Sequence, residues 1–258
     1  MKQYHFLASL LPTLTIGVPP EFPFWEFKEL CWQNLSPSDL EQTKVIRRYM
    51  DIRNLRPFWQ QKELDPHGNY DRKELEEHLL LEEGLPDYVF EFIREHDNTK
   101  ERIDFFPTLL AQFFQEETEK AKGYLKAFLL FEREWRLIML AIRAKLYNRD
   151  LSWELQHEDP QDDLVAQILA QKDAANFSPP EGYESLKEIF EEFRREPLKL
   201  HWELAQWRLD RIKDLPQRGT FSIDRILSYL AQLIIAENWM KLNHEQGMSV
   251  VENIMKEQ

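Results

Sequence analysis

The chain has 258 residues and a formal net charge of −13, from 46 Asp and Glu against 33 Lys and Arg. A hydrophobic fraction of 43% and an aromatic fraction of 13% exclude a disordered acidic tail and supply ample material for a buried core. The charge argues against nucleic acid as a partner, since a phosphate backbone repels such a surface and no run of Lys or Arg exceeds two, whereas a basic protein partner suits it.

The chain opens with an apolar run too short for a signal peptide and interrupted by Tyr4, His5 and Pro12, so it reads as mature structure. Residues 4–11 suit a short helix closed by Pro12. Residues 12–23 carry four prolines and Gly17, the composition of an irregular arm, laid over the core through Phe22, Phe24, Trp25 and Phe27. The only cysteine, Cys31, excludes an internal disulfide and a thiolate zinc cluster; between Leu30 and Trp32 it reads as a buried structural thiol. At Ser36-Pro37-Ser38-Asp39 a helix starts, with a serine cap, proline at the first position and an acid in the first turn. It is expected to run to about Arg56, where Pro57 marks a break.

Asp65-Pro66-His67-Gly68-Asn69 is a turn cluster, and Asp71-x-x-Glu74 is a capping box opening a helix through about Leu81, closed by Gly84. Pro86 opens another helix, to about Glu95, and Asp97-Asn98 is a loop. From about Pro107 a helical pattern continues to Tyr147 without proline. As one rod it would measure ~60 Å, so it either bends near Gly123 or the architecture is elongated. Within it, residues 128–147 form the central element. At about 100° per residue, Phe128, Phe131, Trp135, Ile138 and Ile142 form one stripe, and Leu129, Leu130, Leu137, Leu140 and Ala141 the opposite one. A helix with two apolar faces is packed on both sides. Charged seams lie between the stripes, Glu132, Arg136 and Arg143 on one and Glu134 and Lys145 on the other, with Glu132 and Arg136 spaced as an i,i+4 pair.

Residues 148–160 are a connector with a short helical piece. Weaker helices follow at about 161–173 and 181–195, separated by the linker-like residues 176–182. A further helix, 198–215, carries Trp202 and Trp207. After a turn at 216–220, Ser222 caps the last long helix, with Asp224 in its first turn, running to about Asn243; Gly247 breaks it and a short terminal helix follows. No stretch alternates with period two over more than a few residues. The expected class is all-α: an elongated multi-helix bundle, one domain over 1–258 with lobes at 1–106, 107–175 and 176–258.

Motifs for chemistry are sparse. The sequence has no phosphate-binding loop, no dinucleotide fingerprint, no nucleophile elbow and no zinc helix. Glu154-x-x-His157 is the only Glu-x-x-His motif, where a di-iron bundle needs two. Residues 65–76 place glycine at the fourth position, where a calcium loop needs it at the sixth. The seven histidines share no ligand spacing. No catalytic, cofactor-binding or metal-ligating residue is assigned, and the residues alone read as an interaction protein. No apolar stretch approaches the ~18 residues of a membrane span.

Three segments share an apolar run, then an acid, then Asn or Trp, then more apolar residues and a base. They are Tyr49-Met50-Asp51-Ile52-Arg53-Asn54-Leu55-Arg56, the stretch from Glu132 and Glu134 through Trp135 and Arg136 to Arg143, and Tyr229 to Lys241 with Glu237-Asn238-Trp239. This resembles the recurring acid-x-x-Asn-apolar helix of the central-rotor coupling subunit, termed C (d in eukaryotes), of V-type and archaeal-type rotary ATPases. The second copy lacks the Asn, and the third has acid and Asn adjacent. The chain is also similar to a bacterial family encoded among V-type ATPase genes. That likeness runs through Tyr4-His5-Phe6-Leu7-Ala8-Ser9-Leu10-Leu11-Pro12, Leu64-Asp65-Pro66-His67-Gly68-Asn69-Tyr70, Glu74-Leu75-Glu76-Glu77, and residues 131–145.

The resemblance implies a non-catalytic, all-helical, funnel-like coupling subunit that links the central stalk to the membrane rotor ring. It would sit in the cytoplasm, peripheral on the inner face of the cell membrane through the ATPase complex. No cofactor, small-molecule substrate, nucleic acid or membrane span of its own is expected. Asp51, Asn54, Glu132, Glu134, Arg136, Arg143, Glu237 and Asn238 are then structural polar positions at helix contacts. Departures are the shorter length, which suggests a reduced lobe, and the arm at 12–23, which has no counterpart. The alternatives are a helical adaptor or assembly factor of the same complex, or an unrelated all-α enzyme. The acidic runs at 74–83 and 184–196 read as solvated faces or, in a coupling role, as docking sites for a basic stalk tip, with Glu191 and Glu192 as candidate contacts.

Overall fold

The structure is a computed structural model that describes the backbone of residues 3–256 and the side chains of 3–241. Among the described residues the chain is all-helical, with thirteen helices and no strand. In order these are α1 (His5–Leu10), α2 (Phe24–Asn34), α3 (Pro37–Trp59), α4 (Arg72–Leu81) and α5 (Asp87–Glu95). Then come α6 (Thr99–Asp104), α7 (Phe106–Lys120), α8 (Gly123–Leu146) and α9 (Leu151–Glu154). The last are α10 (Asp163–Leu169), α11 (Glu184–Phe193), α12 (Pro197–Asp214) and α13 (Ile223–Lys256).

Packing divides the chain into two compact units, one of Met1–Leu40 with Ser178–Gln258 and one of Glu41–Phe177. The second boundary falls inside the proline-rich linker 176–182. The units differ from the expected lobes: residues 41–106 pack with 107–177, and the N-terminal arm packs with the C-terminal helices. Sequence order gives no warning of this, because the N-terminal segment finds its apolar partners far along the chain.

In the first unit α13 is the centre. Every residue from Ile226 to Ala236 is buried, which leaves it no solvent-facing side through this stretch. α12 packs on α13, and α11 on α12. The arm is irregular as expected, yet Leu14 and Ile16 are buried. Trp202 Nε1 donates to the Ile16 carbonyl at 3.3 Å. Gly17 has φ +87°, and a side chain there would meet the Trp239 ring at 3.4 Å. Helix α2 has no counterpart in the sequence reading, which gives Phe24, Trp25 and Phe27 only as contacts of the arm with the core. Phe24, Phe27 and Cys31 recur at helical spacing and face inward, whereas Trp25, 100° around, is 70% exposed. α13 also runs through Gly247, where a break was expected; one glycine costs a helix only ~1 kcal/mol.

In the second unit the 107–147 pattern resolves into two helices. The chain turns at Ala121 and Lys122, and Gly123 opens α8 with φ +57°, so the continuous rod does not form. Both stripes of α8 are buried: Phe128, Phe131, Ile138 and Ile142 on one side, Leu129, Leu137 and Ala141 on the other. Leu130 stands exposed and Trp135 only half-buried, against expectation. α3 extends past the expected end, with Pro57 inside its last turn. A proline there removes only the bond to the Arg53 carbonyl. Termination falls instead to Gln61, which has φ +57°.

Candidate functional site

Asp51 and Asn54 project from α3 onto the turn that precedes α4. Asn54 Nδ2 donates to the Asp65 carbonyl at 2.9 Å, and the Asp65 amide donates to Asn54 Oδ1 at 2.8 Å. Asp51 accepts from the Asn69 amide and side chain at 2.6 Å each and from the Tyr70 amide at 3.2 Å. Arg47, one turn earlier, donates to the Gly68 carbonyl at 2.6 Å. Arg47, Asp51 and Asn54, at helical spacing, thus grip the turn at 65–70 from one face of α3. The approach is close: a Cβ on Gly68 would lie 2.4 Å from Asp51 Oδ1. Burial pushes the Asp51 carboxyl up to about 6, against the opposite pull of the Asn69 and Tyr70 donors and of Arg47.

This turn launches α4. Asp71 accepts from the Glu74 amide at 2.9 Å, and Glu74 accepts from the Asp71 amide at 2.9 Å, the capping box read from the sequence. At the other end the Tyr70 hydroxyl donates to the Gly84 carbonyl at 2.6 Å, and the His78 ring lies against Tyr70.

The polar positions of α8 do not form one cluster. Glu132 is fully buried, Glu134 and Arg136 are half-buried, and Arg143 is exposed. Arg136 bonds Glu158, in the connector after α9, and Arg133 bonds Asp162 at 2.9 Å. The i,i+4 spacing suggests Glu132 as the partner of Arg136. Glu158 and Asp162 are invisible as partners in the sequence because they sit on a connector whose path is a tertiary property. A second buried ion pair is equally hidden. Arg48 of α3 meets both carboxylate oxygens of Glu117 of α7, at 3.0 and 2.9 Å, and Glu117 is buried. Burial, with Glu117 adding to it, pushes the nearby Tyr88 phenol well up.

In the first unit Glu237 of α13 accepts from the Phe24 amide at 2.6 Å and so caps the N-terminus of α2. Asn238 is half-buried beside it in sequence. Glu191 and Glu192 lie exposed on α11, and Lys187 reaches Glu191 only at 3.9 Å. No group of three or more His, Cys, Asp or Glu among the described residues is arranged to hold a metal. No described helix is long and apolar enough to cross a membrane.

Fold and surface together define an all-α protein of two compact units, with polar helix positions that fasten neighbouring segments and acidic helix faces turned outward. The chain belongs to the family described as "Protein of unknown function (DUF2764)", whose model matches residues 1–258. It is similar to an uncharacterized protein of Chlamydia pneumoniae, 26% identical over 262 residues that cover 99% of this chain and 98% of the relative. Uncharacterized proteins of Chlamydia muridarum and Chlamydia trachomatis match over the same shares of each chain at 25% and 24% identity. No solved structure matches it.

Proposed function

We propose that the protein is a non-catalytic coupling subunit of a V-type ATPase, linking the central stalk to the membrane rotor ring. The observation that carries this reading is the use made of the acids in the segments that resemble the rotary-ATPase coupling helix. Asp51 and Glu237 each end on backbone amides of a neighbouring segment in their own unit. Carboxylates fixed in this way serve as fasteners of a scaffold. The outward acidic face of α11, with Glu191 and Glu192, suits a basic stalk tip, because complementary charge speeds encounter and sets orientation. In this reading the protein lies on the cytoplasmic side of the membrane, held there by its partners.

The test is purification of the rotary ATPase from cells carrying a tagged copy of this chain. The expected result is stoichiometric retention with the stalk and ring components, and slower association for Glu191→Lys with Glu192→Lys, most visibly at low salt. A fully active complex that lacks the chain overturns the proposal, and substoichiometric retention only during assembly replaces it with an assembly factor.

A further inference from the structure

Helix α4 is displayed rather than packed. Of its own side chains only Leu75 is buried, while Leu80 and Leu81 are 82% and 55% exposed. Glu76 and Glu77 stand one turn before this pair, and Glu82 and Glu83 follow it directly, so two apolar side chains sit within a rim of four carboxylates. Glu82 pairs with Arg94 at 2.8 Å. The side chains of Glu76, Glu77 and Glu83 make no ion pair or hydrogen bond among the described residues. Glu82 and Glu83 also lie at the C-terminal end of the helix, where the helix dipole already presents negative charge and carboxylates are unfavourable. The local structure therefore leaves both terms unmet, apolar area in water and negative charge without a counterion.

The element that carries this ridge is held firmly. The capping box closes its first turn, the Tyr70 hydroxyl holds the Gly84 carbonyl, and Asp51, Asn54 and Arg47 fix the turn before it. Gly84, at φ +74°, comes so close to the His78 ring that a Cβ would lie 2.4 Å away, which keeps the closing turn tight against the helix. Binding to an ordered element costs less conformational entropy than binding to a mobile one.

We infer that the Leu80–Leu81 ridge docks a partner protein through an amphipathic helix whose apolar stripe is bordered by Lys and Arg. The leucines bury against the stripe, and the three carboxylates without an ion pair, Glu76, Glu77 and Glu83, meet the basic borders. The same rim disfavours the other occupants of an apolar ridge. A second copy of the chain would bring four more carboxylates against these four, and an anionic lipid surface would be repelled. The inference rests on the reading that the protein works by docking, and not on which complex it joins.

The test is fluorescence anisotropy of the full chain with a labelled synthetic helix of about 18 residues, long enough for ~27 Å of contact, with a leucine stripe flanked by lysines. Saturable one-to-one binding is expected, with a scrambled peptide of the same composition at least ~10-fold weaker, a difference of about 1.4 kcal/mol. Leu80→Ser with Leu81→Ser is expected to weaken binding by about the same factor without altering the helical circular dichroism, and Glu76→Lys with Glu77→Lys likewise. Glu119→Lys, at an exposed acid on α7 away from the ridge, is expected to leave it unchanged. Equal binding of striped and scrambled peptides, or of a stripe flanked by glutamates, overturns the inference, as does indifference to the leucine variant. A wild-type dimer in sedimentation that the leucine variant dissolves assigns the ridge to a second copy, and flotation with phosphatidylcholine vesicles assigns it to lipid; either result also overturns it. Retention in the rotary ATPase is a separate readout, so either reading can fail while the other stands.

Discussion

Helices α4 and α8 belong to the same unit and use their residues in opposite ways. In α8, twelve side chains are buried, among them a fully buried glutamate, and both apolar stripes are covered except at Leu130 and, in part, Trp135. In α4 one side chain is buried and two leucines face water. The first helix is stabilised by packing, the second by hydrogen bonds at its ends and by the turn that α3 grips. A helix held by its ends can keep its surface for another molecule, because nothing in the fold depends on that surface. A helix held by both faces has no surface to offer.

This contrast predicts a graded response to substitution. Phe128→Ala in α8 is expected to cost about 3–5 kcal/mol, the range for removing a large aromatic from a close-packed core. Urea melts check it, and a loss below ~1 kcal/mol would mean that this face of α8 is not sealed.

The next effect concerns the grip on the turn and depends on pH. The folded-state pKa of Asp51 stands at about 6, above its ordinary value of 3.8, so the native protein binds this proton more tightly than the unfolded chain. Its contribution is then fully present below about pH 4 and is lost as pH rises through about 6. Between pH 7 and pH 5 the gain is about 1 kcal/mol. Asp51→Asn removes this titration. The stability difference between wild type and Asp51→Asn, measured by denaturant melts across that range, is expected to shift in favour of wild type on acidification. A difference that stays flat would mean that the carboxyl titrates near its ordinary value.

The smallest effect falls on α4 itself. Leu80→Ser with Leu81→Ser is expected to change stability by no more than ~0.5 kcal/mol, as for other exposed positions. A larger loss in the same melts would show that the ridge is part of the core, and the contrast between the two helices would disappear.

Much of this fold is legible in the sequence by itself. Periodicity places α8 and its two apolar stripes, Asp71 and Glu74 announce the capping box, and the prolines at 179 and 180 mark the linker where the units divide. These signals are local: they rest on helical geometry and backbone chemistry within one or two turns, which a sequence carries in full. Even where local signals are present, competing ones mislead, as when the four prolines up to Pro23 mask the helical spacing of Phe24, Phe27 and Cys31, and α2 is missed. The roles of the charged residues are a different matter. Glu132 and Arg136 have the spacing of a pair, yet Arg136 bonds Glu158; Arg48 meets Glu117 across 69 positions, and Glu237 caps a helix 213 positions away. The exposure of Leu80 and Leu81 is equally unreadable, since leucines on a helix are core residues until something fails to cover them. Which side of a helix is covered, and which charge meets which, depend on how distant segments pack, and only the tertiary structure decides that.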